Sequence, residues 1–596
     1  MKQTDRFFLG VESSITGKAW RDRLADRQAG IAIAQRHDLP EIIGRVLAAR
    51  GVSVDEARDF LNPTLRRLLP DPSSLVDMAK AAARIARAIA AGETIAIFGD
   101  YDVDGATSSA LLKRFLRAVG SDAMIYIPDR LSEGYGPNEG AFRQLADRGA
   151  GLVVTVDCGV SAHDPIDAAR ALGLEVVVID HHQAGEHLPN AQAVVNPNRQ
   201  DDLSGLGYLA AVGVTFLLVV AVNRLLREEG RYADGLPEPD LLELLDLVAL
   251  GTVCDVVPLV GLNRALVAQG LKVMGRRGNI GLAALGEAAR LARRPDTFSL
   301  GFLMGPRINA AGRMGNAGLG AELLSTQDSD RARSIAAELE KLNGLRRDEE
   351  ATVLDAALMQ AERSLGHDLA PPAVVVAGDG WHPGVIGIVA GRLKEQFNRP
   401  AVVVAFDKTG RGTGSGRSIA GVDLGSAVRA AAEAGVLVRG GGHAMAAGLT
   451  IERARIGDFR AFLEETLAID VGEATALPGL SVDGAMSAGG ATPDFIRLLE
   501  DAGPYGTGNP RPRFAFPAHR ISYCELVGTD HVRCTIQGGD GARLKAIAFR
   551  AAGSPLGAAM LKRDGVPVHI AGHLSLNEWG GKVSAQLIVE DIAAVR

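Results

Sequence analysis

Residues able to bind metal ions follow directly after three short apolar segments of the chain. The segments are residues 95–98, 152–156 and 175–179, and the residues that follow them are Asp100, Asp102 and Asp104, then Asp157, then Asp180, His181 and His182. Carboxylates brought close together repel one another, and burying them is costly unless cations lie among them. The pattern therefore predicts a divalent-metal site whose substrate carries phosphate groups.

The apolar segments are rich in valine and isoleucine, which is typical of buried parallel strands. From about residue 76 to 260 such segments alternate with helical patterns, for example the apolar face formed by Leu111, Leu112, Phe115, Leu116 and Val119. Alternating strands and helices predict a right-handed parallel sheet. Because open α/β sheets bind ligands at the carboxyl ends of their strands, we expect the acidic residues and histidines to meet at one sheet edge.

The spacing of the acidic residues suggests how two cations would be held. Asp102 and Asp104 lie two apart in a glycine-flanked turn, and Asp255 follows an apolar helix expected over 241–250. Asp157 ends an apolar strand, where a buried carboxylate would be stabilised as a bridge between two cations. Imidazole together with carboxylates suits Mn²⁺ or Mg²⁺, and histidine favours Mn²⁺. Two cations about 3.5–4 Å apart activate water and bind the scissile phosphate, so the residues indicate hydrolysis of a phosphoester or phosphoanhydride. An acidic helix cap is the structural alternative for the turn at 100–104.

Length, charge and cysteine content limit the other possibilities. The chain has 596 residues, which is too long for one core and predicts three or four domains. Its 64 basic and 71 acidic residues give a formal net charge of −7, so a nucleic acid would be bound by local arginine clusters. The first ten residues lack a signal-peptide core, the apolar run 208–222 is too short to cross a bilayer, and the four cysteines show no CxxC pairing. We expect a cytoplasmic protein that does not bind membranes.

The patterns predict an α/β multidomain protein in five parts. These are a helical segment over 1–75, a parallel-sheet domain over 76–330, a connector helix over 331–366, a smaller α/β domain over 367–475 and an OB-type β-barrel over 476–596. The smaller α/β domain contains two glycine-rich segments, 410–421 and 440–448, close to Arg417 and His443. We expect loops there that bring the backbone close to phosphate.

Taken together, the motifs resemble those of the DHH phosphoesterase superfamily and, more closely, those of the RecJ exonucleases. The similar segments are Gly99–Gly105, Val156–Gly159, Ile179–His182, Thr252–Leu259, Gly305–Arg313, Gly441–Gly448 and Pro504–Phe514. The resemblance covers about residues 45–594. It implies a DHH domain at 76–330, a DHHA1 domain at 367–475 and a RecJ-type OB domain at 476–596.

The resemblance implies hydrolysis of single-stranded DNA from the 5′ end to mononucleotides, by a two-metal mechanism, in DNA recombination and repair. The implied ligands are Asp104, Asp157, His181 and Asp255 for one cation, and Asp102 with the bridging Asp157 for the other. His182 is expected to contact the scissile phosphate. One position departs from the wider superfamily, because Phe98 stands four residues before Asp102, where many members have a metal-binding histidine.

The resemblance also implies a cleft that binds DNA. Arg130, Ser415 and Arg417 are assigned to a pocket for the 5′-phosphate, since bidentate arginine suits a terminal phosphate better than lysine does. Tyr135 is expected to stack on a base, and the other cleft residues are Arg307, Asn309, Arg313 and His443. The implied partners are single-stranded DNA with a 5′ end, a single-strand-binding protein and a helicase, and the enzyme is expected to be a monomer.

Two other functions fit part of the pattern. A DHH hydrolase of short oligoribonucleotides, cyclic dinucleotides or pyrophosphate would use the same metal ligands, but it would not need a long connector helix or a β-rich C-terminal domain. A non-enzymatic scaffold that has lost its metal ligands is disfavoured because every expected carboxylate is present.

Overall fold

The computed structural model describes residues 7–130, 132–233, 235–365, 371–475, 479–562, 565–579 and 581–595. The chain forms two compact units, the first within residues 1–312, 316–337 and 479–596, and the second within 313–315 and 338–478. The predicted domain boundaries near 366 and 476 fall at 366–370 and 476–478, outside the described residues. The division into five parts therefore stays a prediction.

The N-terminal segment of the first unit is mostly helical, as its sequence predicts. It contains strand β1 (Ala19–Asp22), helices α1 (Arg27–His37), α2 (Glu41–Ala48), α3 (Ala57–Leu61) and α4 (Leu65–Leu68), and a 3₁₀ turn at Phe8–Gly10. The sequence pattern does not predict β1, which pairs in parallel with residues 479–482 far along the chain. A strand of four residues has too little periodicity to be recognised locally.

The next part of the first unit is the parallel-sheet domain. Its elements are α5 (Met78–Ala91), β2 (Ile95–Gly99), α6 (Val103–Ala118), β3 (Ala123–Tyr126), α7 (Glu139–Asp147), β4 (Leu152–Val156), α8 (His163–Ala171), β5 (Glu175–Ile179), β6 (Ala193–Val195), α9 (Ala211–Glu228), α10 (Leu245–Cys254), α11 (Gly261–Met274), α12 (Ile280–Ala288), α13 (Gly305–Met314) and α14 (Leu319–Ser325). Short 3₁₀ turns occur at Pro72–Ser74 and Leu241–Leu244, and a π-helical stretch at Ser299–Met304.

The five strands of this domain form a sheet in the order β3-β2-β4-β5-β6, and every neighbouring pair is parallel. Strands β2 and β4 are buried along their whole length. Phe142 of α7 and Ile166 of α8 pack on one face against Phe98 of β2. On the other face a side chain at Gly99 would collide with Ser109 of α6. The predicted parallel sheet, covered on both faces, is confirmed.

A single long helix follows, α15 (Ser329–Leu365), which spans the predicted connector. Its residues up to 337 belong to the first unit and those from 338 belong to the second. Gly344 does not interrupt the helix. A glycine inside a helix costs about 1 kcal/mol relative to alanine, which the rest of a helix of 37 residues easily offsets.

The second unit contains a mixed sheet. Its further elements are β7 (Val374–Asp379), α16 (Pro383–Phe397), β8 (Ala401–Phe406), β9 (Arg411–Arg417), α17 (Leu424–Glu433), β10 (Arg439–His443), β11 (Ala446–Glu452) and α18 (Ile456–Thr475), with a 3₁₀ turn at Arg453–Arg455. The strand order is β10-β11-β9-β8-β7, in which β7 and β8 are parallel and the other pairs are antiparallel.

The glycine-rich segments of this unit are strands, so the prediction of loops there is wrong. In β9 every second residue is glycine, and a methyl group at Gly412, Gly414 or Gly416 would lie 2.6–2.7 Å from a neighbouring apolar side chain. The glycines therefore make room for side chains packed against the sheet. Ser415 and Arg417 alternate with them and lie on the opposite face.

The C-terminal part of the first unit is a closed β-barrel. Its elements are β12 (Gly479–Val482), β13 (Gly484–Ala485), α19 (Pro493–Asp501), β14 (Phe514–Val527), β15 (His531–Gln537), β16 (Arg543–Ala548), α20 (Pro555–Leu561), β17 (Val568–Trp579) and β18 (Lys582–Ala594), with a 3₁₀ turn at Ala488–Gly490. The order β14-β15-β16-β18-β17 returns to β14 through an additional pairing. The predicted OB-type barrel is confirmed.

The N-terminal segment and the barrel share one hydrophobic core. Ile43 and Leu47 of α2 are fully buried together with Phe514 and Phe516 of β14. None of the helices in the described ranges combines the length and apolar character needed to cross a membrane.

Candidate metal centre

The loop from β2 to α6 places three carboxylates in five residues. Asp100 follows β2 directly, and the side chain of Asp102 caps α6. One oxygen of Asp102, Oδ1, accepts hydrogen bonds from the backbone N–H groups of Asp104 at 2.8 Å and Gly105 at 3.1 Å. The structural role considered for this turn is thus real for Asp102. It uses one carboxylate oxygen of the residue.

Asp104 is held at the start of another helix. Its two oxygens accept hydrogen bonds from the backbone N–H groups of Ala211 at 2.7 Å and Val212 at 2.9 Å, in the first turn of α9. A side chain at Gly251 of α10 would lie 3.0 Å from Asp104 Oδ1, so the glycine leaves space for the carboxylate. The N-terminus of α9 stabilises negative charge on Asp104 and fixes its direction.

The backbone is in the left-handed region at Asp157 and at the residue after Asp255. Asp157 follows β4 with φ +62°, and Val256, which follows Asp255, has φ +65°. A non-glycine residue in the left-handed region carries strain of about 1–3 kcal/mol, which is often found at functional sites. Helix α10 continues to Cys254, so Asp255 lies at its C-terminal end, where the helix dipole disfavours a carboxylate. A cation would offset that penalty.

His181 faces three of these carboxylates through one ring nitrogen. Its Nδ1 lies 3.1 Å from the carbonyl oxygen of Leu209. Because a carbonyl oxygen can only accept, Nδ1 carries the proton and Nε2 has a free lone pair. Nε2 lies 3.3 Å from Asp157 Oδ1, 3.7 Å from Asp255 Oδ2 and 4.0 Å from Asp104 Oδ2. This is the tautomer and orientation of a metal-binding histidine.

Ligand atoms gather here in overlapping groups of three, each within 4.8 Å. The groups are Asp104, His181 and Asp255; Asp100, Asp102 and Asp157; and Asp157, His181 and His182. Among the described residues, Asp100 Oδ1, His181 Nε2 and Asp255 Oδ2 are buried without a hydrogen-bond partner. Such orphaned atoms are rare in folded proteins, and this oxygen-rich set with one imidazole fits Mn²⁺ or Mg²⁺.

The raised pKa values of the clustered carboxyls also indicate a site for cations. Burial, and then the neighbouring Asp102, raises the pKa of Asp100 to about 8 and that of Asp104 to about 7. Burial, and then Asp104, raises the pKa of Asp255 to about 9 and that of Asp157 well above its ordinary value. Without cations the charged forms of these carboxyls are disfavoured, so the groups take up protons at a higher pH than ordinary aspartates do. Divalent ions would displace the protons.

Asp180 and His182 form a separate pair beside the ligands. Asp180 is buried, and its Oδ1 accepts a hydrogen bond from His182 Nδ1 at 2.8 Å. Burial alone would raise the pKa of Asp180, but the hydrogen bond and charge of His182 lower it. Asp180 also accepts backbone hydrogen bonds from Val160 and His181. It therefore positions the loop and the ring of His182.

Asp100 is absent from the predicted ligand set, although the structure places it among the candidate ligand atoms. Asp100 lies in the second group of ligand atoms together with Asp102 and Asp157. The signal was present in the sequence, because Asp100 is the first residue after β2 and therefore lies nearest to the sheet edge. Its neighbour Phe98 is fully buried in the core, stacked on Tyr126 at 5.5 Å. Phe98 therefore supplies packing at the position where the resemblance to the wider superfamily led us to expect a metal-binding histidine.

Four predicted cleft residues belong to the first unit. Tyr135 is 55% exposed, and its ring meets that of His182 edge-on at 5.9 Å. The Arg130 guanidinium lies over the ring of Tyr101, 5.1 Å from its centroid. Arg307 and Asn309 lie on α13, where Arg307 is buried and donates to the carbonyl of Leu303 at 2.6 Å.

The other four predicted cleft residues belong to the second unit. Arg417 Nη1 lies 3.2 Å from Ser415 Oγ, and His443 lies in the same row across the sheet, through Ala446 of β11. Arg313 donates to the carbonyl of Gly384 at 2.8 Å. The structure thus brings Ser415 and Arg417 together. Their meeting with Arg130 in one phosphate pocket stays a prediction.

Comparison with known proteins gives consistent results along the chain. Family profiles match the DHH family, N-terminal domain, at residues 94–252, the DHHA1 domain at 371–468 and the RecJ OB domain at 482–591. The single-stranded-DNA-specific exonuclease RecJ of Dickeya dadantii is 41% identical over 93% of this chain and 96% of its own length.

Solved structures agree with the sequence comparison. RecJ from Thermus thermophilus in complex with Mn²⁺ matches with a TM-score of 0.79 and 31% identity, over 96% of this chain and 78% of that one. The same enzyme in complex with Mg²⁺ matches with a TM-score of 0.74 and 30% identity, over 96% and 77%. With this similarity along nearly the whole chain, and with the domains and the sheet-edge cluster in place, the chain belongs to the RecJ family.

Proposed function

We propose that the protein hydrolyses single-stranded DNA from its 5′ end, releases mononucleotides and uses two divalent cations. The observation that carries this proposal is the sheet-edge cluster, in which buried carboxylates and the unprotonated Nε2 of His181 face one another. The relatives that match along the chain carry the name of a single-stranded-DNA-specific exonuclease, and two matched structures contain Mn²⁺ or Mg²⁺.

Residues of the cluster would hold the two cations in adjacent places. Asp104, His181 and Asp255 would hold one ion and Asp100 with Asp102 the other, while Asp157 belongs to groups on both sides. Bound divalent cations supply Lewis acidity that activates water and neutralises the phosphate. Asp104 and His181 are fixed by backbone groups of Ala211, Val212 and Leu209, so the ligands need little rearrangement.

His182 and Tyr135 would act on the substrate itself. His182 Nδ1 donates to Asp180, which leaves Nε2 directed away from that carboxylate and able to contact an oxygen of the scissile phosphate. The Tyr135 hydroxyl lies 3.3 Å from the carbonyl oxygen of Asp157, and its ring is exposed for stacking on a base. These two side chains would orient the terminal nucleotide over the cations.

We further propose that arginines recognise the free 5′ end. Arg130, Ser415 and Arg417 would bind the terminal phosphate, and Arg307, Asn309, Arg313 and His443 would line the path of the strand. A phosphate pocket at a fixed distance from the cations would allow cleavage of one nucleotide at a time, and guanidinium groups bind terminal phosphates in a bidentate way.

The closed barrel supports a polymeric substrate over a small one. OB-type barrels grip single strands through backbone charge and base stacking, which a hydrolase of pyrophosphate or cyclic dinucleotides would not need. We propose that the enzyme acts as a cytoplasmic monomer in DNA recombination and repair, on strands supplied by a helicase and coated by a single-strand-binding protein.

Product analysis tests the proposed function. A single-stranded DNA labelled at either end is incubated with Mn²⁺, with Mg²⁺ or with a chelator, beside reactions that contain duplex DNA or pyrophosphate. We expect labelled mononucleotides at once from the 5′ label, loss of the 3′ label only late, and no reaction with chelator. Rapid hydrolysis of pyrophosphate with inert DNA would instead establish the small-molecule alternative.

A further inference from the structure

Two phenylalanines of the first unit lie stacked on its surface. Phe298 is 58% exposed and Phe302 is 70% exposed, and their ring centroids are 5.0 Å apart with an interplanar angle of 24°. Exposed aromatic pairs of this kind bury little on folding, and they commonly mark a binding surface. The metal site and the cleft residues described above do not account for them.

The segment that carries the two rings is fixed on its other side. Leu300 and Met304 of the π-helical stretch are buried. Asp296 Oδ1 accepts hydrogen bonds from the backbone N–H and the hydroxyl of Ser299, and the Thr297 hydroxyl donates to the carbonyl of Tyr505 at 2.7 Å. The phenylalanine rings are therefore presented by a held backbone. π-Helical turns occur frequently at functional sites.

The same segment rests on the last turn of α10, next to a predicted metal ligand. The Cys254 thiol lies 3.4 Å from the carbonyl oxygen of Leu300, and Asp255 is the next residue. A side chain at Gly305 would collide with Cys254 Sγ, so glycine permits this close approach. The segment that carries the two rings is therefore packed against the helix end that leads to Asp255.

Two arginines precede the aromatic pair by a few residues in the chain. Arg293 and Arg294 are exposed and, together with Met304 of the π-helical stretch, line a depression of about 160 Å³. Neither arginine forms an ion pair within the described part of the chain. In a protein with a net charge of −7, this is a local basic patch. Aromatic faces next to arginines are the combination that binds single-stranded nucleic acid.

We propose that Phe298 and Phe302 form a stacking platform for bases of the single-stranded substrate beside the metal centre. The inference rests on the proposed nuclease function and adds a binding subsite to it. Arg293 and Arg294 contact the phosphates of the same stretch of strand. Stacking on aromatic faces tolerates any base, as a nuclease that degrades every sequence requires.

Kinetics on oligonucleotides of different length test the platform. Hydrolysis of 5′-phosphorylated strands of about 3 and about 20 nucleotides is measured with Mn²⁺ for the wild type, Phe298→Ala, Phe302→Ala, Phe302→Leu and Phe302→Trp. We expect each alanine variant to raise KM for the long strand about tenfold, with a smaller rise for the short one, because base–aromatic stacking contributes about that much. Phe302→Trp should retain wild-type KM, and Phe302→Leu should resemble alanine.

A matched control and a direct readout complete the test. Leu242→Ala removes another exposed apolar side chain, 53% exposed in the same unit, and should leave KM unchanged. A 2-aminopurine base within the strand should lose fluorescence on binding to the wild type and keep it with Phe302→Ala. Unchanged KM in both alanine variants, or full activity with Phe302→Leu, would overturn the platform and favour protein docking at this surface. A wild type that does not hydrolyse single strands would instead reject the proposed function.

Discussion

The first unit buries two clusters of aspartates, and their surroundings are opposite. At the sheet edge, Asp100, Asp104 and Asp157 face other carboxylates, and the ion-pair partners that the described residues provide there are histidines. At the junction between the N-terminal segment and the barrel, Asp483 and Asp591 are just as deeply buried. There, arginines and a backbone N–H contact Asp483, and neutral N–H and O–H donors contact Asp591.

At the junction, both oxygens of each buried carboxylate have hydrogen-bond partners. Asp483 accepts from Arg50 Nη1 at 2.5 Å and from the backbone N–H of Arg513 at 2.9 Å, and Arg23 lies 3.3 Å away. Asp591 accepts from Trp20 Nε1 at 2.8 Å and from the Thr16 hydroxyl at 3.0 Å. The bonds from Arg50 and Trp20 join residues 433 and 571 positions apart. The junction aspartates therefore hold the fold together.

The difference teaches how to separate a structural acid from a functional one. Burial alone does not distinguish the clusters, because both are almost inaccessible. The clusters differ in whether their carboxylate oxygens have hydrogen-bond partners. At the sheet edge some buried polar atoms have none, and the pKa values of the carboxyls are raised. Ions supplied from solution must complete that cluster.

The largest expected effect comes from Asp157, which belongs to two of the three groups of ligand atoms. Asp157→Asn should lower the rate of DNA hydrolysis by at least about a thousandfold, because the amide cannot bridge two cations. The metal-free variant should melt within a few degrees of the wild type, since burial and then the neighbouring Asp104 raise the pKa of Asp157, so that its charge adds no stability there. Nuclease assays and thermal melts check this, and substantial residual activity would contradict the bridging role.

A substitution at the junction should instead lower stability and leave activity unchanged. Asp483→Ala should lower the free energy of unfolding by about 3–5 kcal/mol, because Arg50, whose side chain is 2% exposed, loses its buried counter-ion. Urea denaturation measures the loss, and hydrolysis per folded molecule should stay near that of the wild type. A variant that is stable but inactive would remove the contrast between the clusters.

The pH dependence of metal binding sharpens the contrast further. The folded-state pKa values of Asp104, Asp100 and Asp255 are raised to about 7, 8 and 9, above those of an unfolded chain. The stability that these groups contribute is fully present below about pH 4 and is lost as pH rises through the folded values. The metal-free protein should thus lose stability between about pH 5 and 9, and the rise in Tm on adding Mn²⁺ should grow over that range.

The control for this titration is the junction variant Asp483→Asn. Its overall Tm should be lower, but the Mn²⁺-induced rise should follow the same pH curve as in the wild type. A Mn²⁺ effect that does not depend on pH would contradict proton displacement at the sheet edge.

The smallest expected effect is the loss of one neutral donor at the junction. Trp20→Phe removes the hydrogen bond from Nε1 to Asp591, and we expect a loss of about 1–3 kcal/mol in the free energy of unfolding. The Thr16 hydroxyl and the backbone N–H of Ile592 still donate to Asp591, which limits the damage. Thermal melts check this, and hydrolysis should be unaffected.

Local sequence determined the strands and most of the residues that gather at the sheet edge. The segments before Asp157 and Asp180 are continuous apolar runs, so their strand character and their ends can be read without knowing the fold. Parallel strands place their carboxyl ends at one edge, and this rule brings Asp102, Asp157 and His181 together. The sequence also predicted the long helix and the barrel, both of which the structure contains.

Tertiary structure decided what depends on distant partners. The pairing of β1 with β12 joins Ala19 to Gly479, and a strand of four residues carries too little sequence pattern to predict it. The glycines of β9 form a strand because Phe406, Leu449 and Leu424 fill the space above them, so the same composition that suggests a loop supports a sheet. Short-range patterns report which local conformation is possible, and packing selects among the possibilities.

The candidate metal site also depends partly on local sequence and partly on tertiary structure. Residue type and spacing identify its acids and histidines, but they do not tell which oxygen atoms stay without partners. Asp102 gives one oxygen to a helix cap, Asp180 gives Oδ1 to its own loop and Oδ2 to the backbone N–H of Val160 after β4, and Asp100 keeps Oδ1 unpaired. The bonds of Asp102 and the bond between Asp180 and His182 are local, whereas those of Asp104 with α9 and of Asp180 with Val160 form only when separate segments are folded against one another. Together they separate the acids that keep oxygen atoms available for cations from the acid that positions the loop.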